Sequence, residues 1–279
     1  MGLHHRDNPI AAVDIVKFML DCNPTVKLHK MERKSLLHFA CNGVYNGSNI
    51  HAGTEMIQTI YDAHPEAIEE NCNSSNIHDY QPPVRAFINR QLVYARQAKD
   101  HRLMTTPDSN GQLPLHTALQ NNVRLGSIKL LVKGNPSALR TLENNFALPL
   151  HIACEYHESA DVIQYLVGLD APTLDAVDRD GNTALHLACQ FARHEIIALL
   201  LDKFDAVSVS KQNAHGKLPI DLLWESNTVL DRESIDFTES VFRLLKTYPE
   251  MIMGINIQVQ TASASCTNRN GKKRKLGHE

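Results

Sequence analysis

Gly111-Gln112-Leu113-Pro114-Leu115-His116-Thr117-Ala118 returns, 35 residues on, as Phe146-Ala147-Leu148-Pro149-Leu150-His151-Ile152-Ala153. Another step of 35 gives Gly181-Asn182-Thr183-Ala184-Leu185-His186-Leu187-Ala188, and a third gives Gly216-Lys217-Leu218-Pro219-Ile220-Asp221-Leu222-Leu223. Three steps of one length with the same residue chemistry mark a repeat architecture, in which each unit buries its apolar face against its neighbours. Such a chain offers a surface rather than a catalytic cleft.

Each full unit has three parts. A turn comes first: Asp108-Ser109-Asn110-Gly111, Asp178-Arg179-Asp180-Gly181 and Asn213-Ala214-His215-Gly216. Asp, Asn and Gly suit tight turns with positive φ. Glu143-Asn144-Asn145-Phe146 holds the same place without glycine. A short helix follows, beginning at Pro114, Pro149 or Pro219, because the first helical position needs no backbone donor. Leu115, Ala118 and Leu119 share one face of it, as do Leu150, Ala153 and Cys154, and Leu185, Ala188 and Cys189. A second apolar helix comes next, over Ile128–Val132, Val162–Val167 and Ile196–Leu201. Proline-containing exits such as Asn135-Pro136-Ser137, Ala171-Pro172-Thr173 and Tyr248-Pro249-Glu250 stop it.

The cassette resembles the ankyrin repeat, whose signature is Thr-Pro-Leu-His-x-Ala at a period of about 33 residues. Leu115-His116-x-Ala118, Leu150-His151-x-Ala153 and Leu185-His186-x-Ala188 carry the resemblance. Only Thr183 keeps the threonine; Leu113, Leu148 and Leu218 replace it, Ala184 replaces the proline, and Asp221 and Leu223 make the last copy degenerate. The resemblance implies an all-α, ankyrin-type helical repeat solenoid with short hairpin-like loops. It implies that the histidine bonds within its turn and toward the next unit, and that the turns are the tips of projecting hairpins.

Weaker units extend the pattern outward. Ala11–Leu20 with Asn23-Pro24-Thr25 reads as a second helix and its exit, and Ser35–Cys41 as a first helix partnered by Glu55–Ala63. Pro83-Val84-Arg85-Ala86-Phe87 is a degenerate start, with Arg85 in the histidine's place and a helix running to about Lys99. Uneven spacing places insertions at Tyr45–Gly53, Asn71–Asp79 and Ser226–Ser234. The expectation is a solenoid over residues 1–253, of about five to seven units, with a disordered basic tail at 254–279. The chain starts at a second helix, so Ala11–Leu20 reads either as a half-cap or as part of a longer array.

The net charge of −3 hides an asymmetry: the tail sets Arg269, Lys272, Lys273, Arg274 and Lys275 against Glu279, a balance of +4, which leaves −7 on the rest. An acidic body disfavours nucleic acid, whose phosphates need Lys and Arg. Lys272-Lys273-Arg274-Lys275 is a candidate nuclear-import signal on an otherwise cytoplasmic, intracellular protein. The longest apolar runs, such as Ile196–Leu201, fall far short of the ~20 residues that cross a bilayer.

Among the 15 histidines, those outside the cassette show no shared ligand spacing. A calcium loop placed on Gly181 would need acids where Ala176 and Leu187 stand. Cys41, Cys154 and Cys189 follow the Leu-His-x-Ala core and read as small buried apolar residues. Phosphate-binding, dinucleotide and nucleophile-elbow glycine motifs are absent from the sequence. The chain therefore reads as a non-enzyme with no cofactor, metal or small-molecule substrate, binding a protein whose identity the sequence does not name.

The resemblance places recognition on hairpin tips and on the inner face of the first helix. The matching tip residues are Asp108, Ser109 and Asn110; Glu143, Asn144 and Asn145; Asp178, Arg179 and Asp180; and Asn213, Ala214 and His215. Asn121, Asn122, Tyr156, His157, Phe191 and Arg193 are further candidates on the helices. The reading is a scaffold or adaptor; the alternative is a regulatory ankyrin segment of a larger enzyme or signalling protein.

Overall fold

The structure is a computed structural model; it describes residues 9–23, 25, 30–31, 34–43, 49–71, 78, 80–203, 209–226 and 234–249. The basic tail and most of the three expected insertions lie outside them. The chain divides into two compact units, Met1–Arg179 and Asp180–Glu279.

In the first unit the elements run α1 (Pro9–Cys22), β1 (Lys30–Met31), β2 (Lys34–Ser35), α2 (Leu36–Cys41), α3 (Asn49–Ala63), α4 (Ala67–Asn71), α5 (Pro82–Lys99), α6 (His101–Thr105), α7 (Pro114–Gln120), α8 (Leu125–Gly134), α9 (Pro149–Tyr156) and α10 (Ala160–Leu169). Short 3₁₀ turns at Pro136–Arg140 and Ala171–Asp175 form the exits of α8 and α10. Regular structure among the described residues is helical apart from the β1–β2 pair, two antiparallel residues a side with Lys30 opposite Ser35. The Asn49–Gly53 part of the expected insertion is helix instead: α3 starts at Asn49, six residues before the predicted Glu55.

Proline opens α5, α7 and α9 as expected. The cassette residues Leu115, Ala118 and Leu119 of α7, and Leu150, Ala153 and Cys154 of α9, are all at most 2% exposed. Burying each large side chain contributes roughly 1.5–3 kcal/mol. α7 packs against α8 and α9, and α9 against α10. Toward the N-terminus α1, α3, α5 and α8 enclose a cluster that includes Val16, Leu37, Ile57, Ile60, Val84 and Ile88.

A polar seam fixes α8 on α3. Arg124 places Nη2 2.7 Å from Asp62 Oδ2 and Nη1 2.8 Å from Gln58 Oε1. The Gly126 amide, in the first turn of α8, donates to Asp62 Oδ1 at 2.8 Å, a carboxylate where the helix dipole is positive. Tyr61 reaches across to Ser127 (2.8 Å), which donates to Gln91 Oε1 of α5 at 2.5 Å. Gly126 is required by this approach: a Cβ there would lie 2.5 Å from the Tyr61 ring.

In the second unit α11 (Ala184–Gln190) packs against α12 (His194–Leu201) and α13 (Pro219–Ser226), and α12 against α14 (Ile235–Thr247). Ser234 caps α14, its hydroxyl accepting from the Phe237 amide at 3.1 Å. Leu185, Ala188 and Cys189 are fully buried, as are Ile197, Leu200 and Leu223.

Candidate partner-binding surface

The cassette histidines are the joints that aim each turn. In α7 the Leu113 amide donates to His116 Nδ1 at 3.0 Å, so Nε2 carries the proton and donates to the Thr141 carbonyl, 25 residues on, at 3.0 Å. His151 repeats this with the Leu148 amide (3.1 Å) and the Ala176 carbonyl (3.1 Å). His186 does so with the Thr183 amide (3.2 Å) and the Lys217 carbonyl (3.2 Å). Leucine replaces the signature threonine without breaking the joint, because the backbone N–H supplies the bond to Nδ1. Thr183 adds a hydroxyl contact to the same nitrogen at 2.8 Å. In the last copy Asp221 accepts from the Leu218 amide at 2.9 Å. An ionised carboxylate has no proton to hand onward, so the relay stops there.

All three rings are fully buried. Burial pushes the pKa of His116 below the usual histidine range, against the bonds to Thr141 and Leu113 and the fields of Glu143 and Asp108.

The tips are built alike. Asp108 Oδ1 accepts from the Asn110 and Gln112 amides, both at 2.8 Å, and the Asp108 amide donates to the Gln112 carbonyl at 3.0 Å. Glu143 does the same work with Oε1 on the Asn145 amide at 2.7 Å, and Asn213 with Oδ1 on the His215 and Lys217 amides. Gly111, Gly181 and Gly216 close their turns at φ +73°, +75° and +72°. Neighbouring tips are then tied backbone to backbone. Asn144 N donates to Asn110 O at 3.1 Å, and Arg179 N to Asn145 O at 3.0 Å. In the second unit Ala214 N donates to Asp180 O at 2.9 Å.

The candidate tip residues therefore separate. Ser109, Asn110, Asn144, Asn145 and Arg179 are exposed in the first unit, and Asp180, Ala214 and His215 in the second. Asp108 is exposed, but its carboxylate closes its own turn; Glu143 and Asn213 are buried and serve as framework; Asp178 is half-buried. Of the helix candidates, Asn121, Asn122, Tyr156 and Phe191 are exposed and Arg193 is half-buried. His157 is buried, with Nε2 bonded to the Val123 carbonyl at 2.9 Å and Nδ1 accepting from the Ser159 amide. It joins two units rather than facing solvent.

Three exposed side chains in the same rows lie outside the set that the sequence singles out. Phe146 takes the glycine place in its turn at φ +60° and is 52% exposed, with the Arg179 guanidinium 6.0 Å from its ring centre. Leu142 and Val177, themselves 35 residues apart, precede the tips and are exposed. The signal is present in the register: Phe146 aligns with Gly111 and Gly181. At the end of α9 the neighbouring Glu155 carboxylate, with burial, raises the pKa of Tyr156 above the usual tyrosine range. Burial, with the carboxylates of Asp178 and Glu143, holds Glu155 above the usual glutamate range.

The family model for ankyrin repeats (3 copies) matches residues 123–213. Residues 123–213 carry ankyrin repeats. A search of curated proteins finds no match to it. The ankyrin match takes in the Pro149 and Thr183 cassettes; the Pro114 cassette lies just outside it but makes the same histidine joint and the same tip. Ankyrin repeats generally mediate protein–protein interaction. Among the described residues no helix is long and apolar enough to cross a membrane, and no three His, Cys, Asp or Glu side chains gather as a metal site. Cys41, Cys154 and Cys189 are buried, and burial raises the pKa of Cys154 far above the range of a reactive cysteine.

Proposed function

We propose that this ankyrin chain is a non-catalytic scaffold or adaptor that binds a partner protein through its hairpin tips and the neighbouring face of the first helices. The observation that carries the reading is the division of labour within each tip. Asp108, Glu143 and Asn213 spend their side chains closing turns, and backbone bonds fix one tip against the next. Ser109, Asn145 and Arg179 are thereby held in fixed places with their side chains outward. A surface ordered before binding loses little entropy on association.

The test replaces Ser109, Asn145 and Arg179 together by alanine. Each is exposed, so folding stability should change by no more than ~0.5 kcal/mol per position. Proteins retained by the parent chain in a pull-down, identified by mass spectrometry and then titrated singly, should bind the triple variant at least ~ten-fold more weakly. A folded triple variant with undiminished affinity for those proteins contradicts the reading.

A further inference from the structure

From Gln81 to Lys99 the chain carries Arg85, Arg90, Arg96 and Lys99 and no acidic residue, although residues 1–253 together hold a balance of −7. The stretch is α5, and helical rotation sorts its side chains. At about 100° a residue, Val84, Phe87, Ile88, Gln91, Leu92 and Ala95 fall on one side, and all are buried. Arg85, Asn89, Val93 and Arg96 fall on the opposite side, with Arg90 at its border. Asn89, Arg90 and Arg96 are exposed, Arg85 is half-buried, and Val93 is 61% exposed. Cations elsewhere in the unit are already paired: Lys17 with Glu55, Arg124 with Asp62, Lys133 with Glu66 and Arg140 with Asp170, at 2.6–3.2 Å. On α5 itself Lys99 pairs with Glu69. Asp100, just past the helix, accepts from the Arg102 and Leu103 amides. Among the described residues Arg85, Arg90 and Arg96 form no ion pair.

A run of one sign without partners inside the chain repels itself and is complementary to an anion outside it. Arginine adds geometry to that charge, because its planar fork fits a carboxylate bidentately. We propose that the exposed face of α5 binds an acidic segment of a partner protein, whose Asp or Glu side chains pair with Arg85, Arg90 and Arg96 around an apolar side chain seated on Val93. Arg85 and Arg96 stand ~16 Å apart along the helix axis, the reach of about five residues of extended chain. Val93 lies between them and offers an apolar contact that a phosphate backbone does not use. The acidic balance of residues 1–253 also opposes a long polyanion, while a short acidic segment needs only this one face. A single surface ion pair contributes little; three on one rigid helix, with an apolar contact among them, act together. This face lies on a different element from the tips, and the proposal stands whether or not they bind.

The experiment selects short random peptides, displayed on phage, on the full chain, then titrates synthetic copies against the parent and its variants. Peptides with Asp and Glu around an apolar residue should be among those selected, and their affinity should fall several-fold as salt rises from ~50 to ~500 mM. Replacing Arg85, Arg90 and Arg96 together by Gln, which keeps helix propensity, should weaken them ~ten-fold or more and leave the denaturation midpoint little changed. If that variant fails to fold, Arg90→Gln with Arg96→Gln, both at exposed positions, decides by a several-fold loss. Lys99→Gln removes a cation that Glu69 already neutralises and should weaken the peptides by less than ~two-fold. The tail cations Lys272, Lys273, Arg274 and Lys275 offer an acidic peptide a second target, and replacing all four by Ser should leave the affinity within ~two-fold of the parent's. A selection without acidic peptides, acidic peptides indifferent to the α5 replacements, or acidic peptides lost on the tail replacement would each overturn the proposal. So would a single-stranded oligonucleotide that binds the same arginines more tightly than the peptides do. Acidic peptides lost on the Ser109, Asn145 and Arg179 replacement rather than on those in α5 would overturn it too, while leaving the tip reading standing.

Discussion

His116, His151 and His186 do in this chain what a pair of polar side chains does in a simpler turn: one ring nitrogen closes the turn and the other reaches the next unit. The arrangement works only for the neutral ring, since Nδ1 must accept. A pH dependence follows for His116, whose pKa burial lowers in the folded state. The unfolded chain binds the proton more readily, with a pKa of ~6.5. The joint therefore contributes fully above that value, and its contribution is lost as pH falls through the lower folded value. Denaturation at pH ~7.5 and ~5.5 should show a larger acid loss of stability in the parent than in His116→Gln, which cannot titrate. An equal loss in both, or a parent that gains stability on acidification, would count against the neutral ring. The same residues show how far sequence reading reaches. The histidine's role is legible from its spacing. The survival of the joint at Leu113 and Leu148 is not, because the missing threonine hides a backbone donor that every residue but proline supplies.

At the scale of the element, the first helices carry the framework on one face. Leu185 in α11 is fully buried, so Leu185→Ala removes packing and leaves a cavity that should cost ~2–5 kcal/mol in chemical denaturation. A cost under ~1 kcal/mol would mean that the site collapses or that α11 is not packed as described. Leu185 is legible because the helical rhythm Leu-x-x-Ala-Cys repeats at the unit spacing. Other features are not. Long side-chain bonds such as Arg124 to Asp62 span 62 residues and leave no periodic trace. The early start of α3 is masked because irregular spacing reads equally well as insertion or as helix. His157 reads as a surface residue because it follows exposed Tyr156 at the end of α9, where the chain turns inward and the ring meets Val123. Phe146 reads as a mere lapse from glycine in a turn, although the lapse is what sets an aromatic ring into solvent.

At the scale of the whole molecule, the central claim is that one repeated motif, stepped along the chain, ties neighbouring tips within each compact unit by bonds between main chains. The links recur at a constant interval: Asn144 to Asn110, Arg179 to Asn145 and Ala214 to Asp180 each span 34 residues. These donors belong to exposed residues, where an unlinked loop amide would exchange with solvent at nearly its intrinsic rate. Residue-resolved hydrogen exchange on the full chain tests this most directly. The account predicts that the amides of Asn144, Arg179 and Ala214 exchange ~100-fold or more slowly than those of Ser109 and other unlinked tip positions. Exchange of all three at the rate of free loops would contradict the tied tips within the two units, and with them the surface on which binding is proposed.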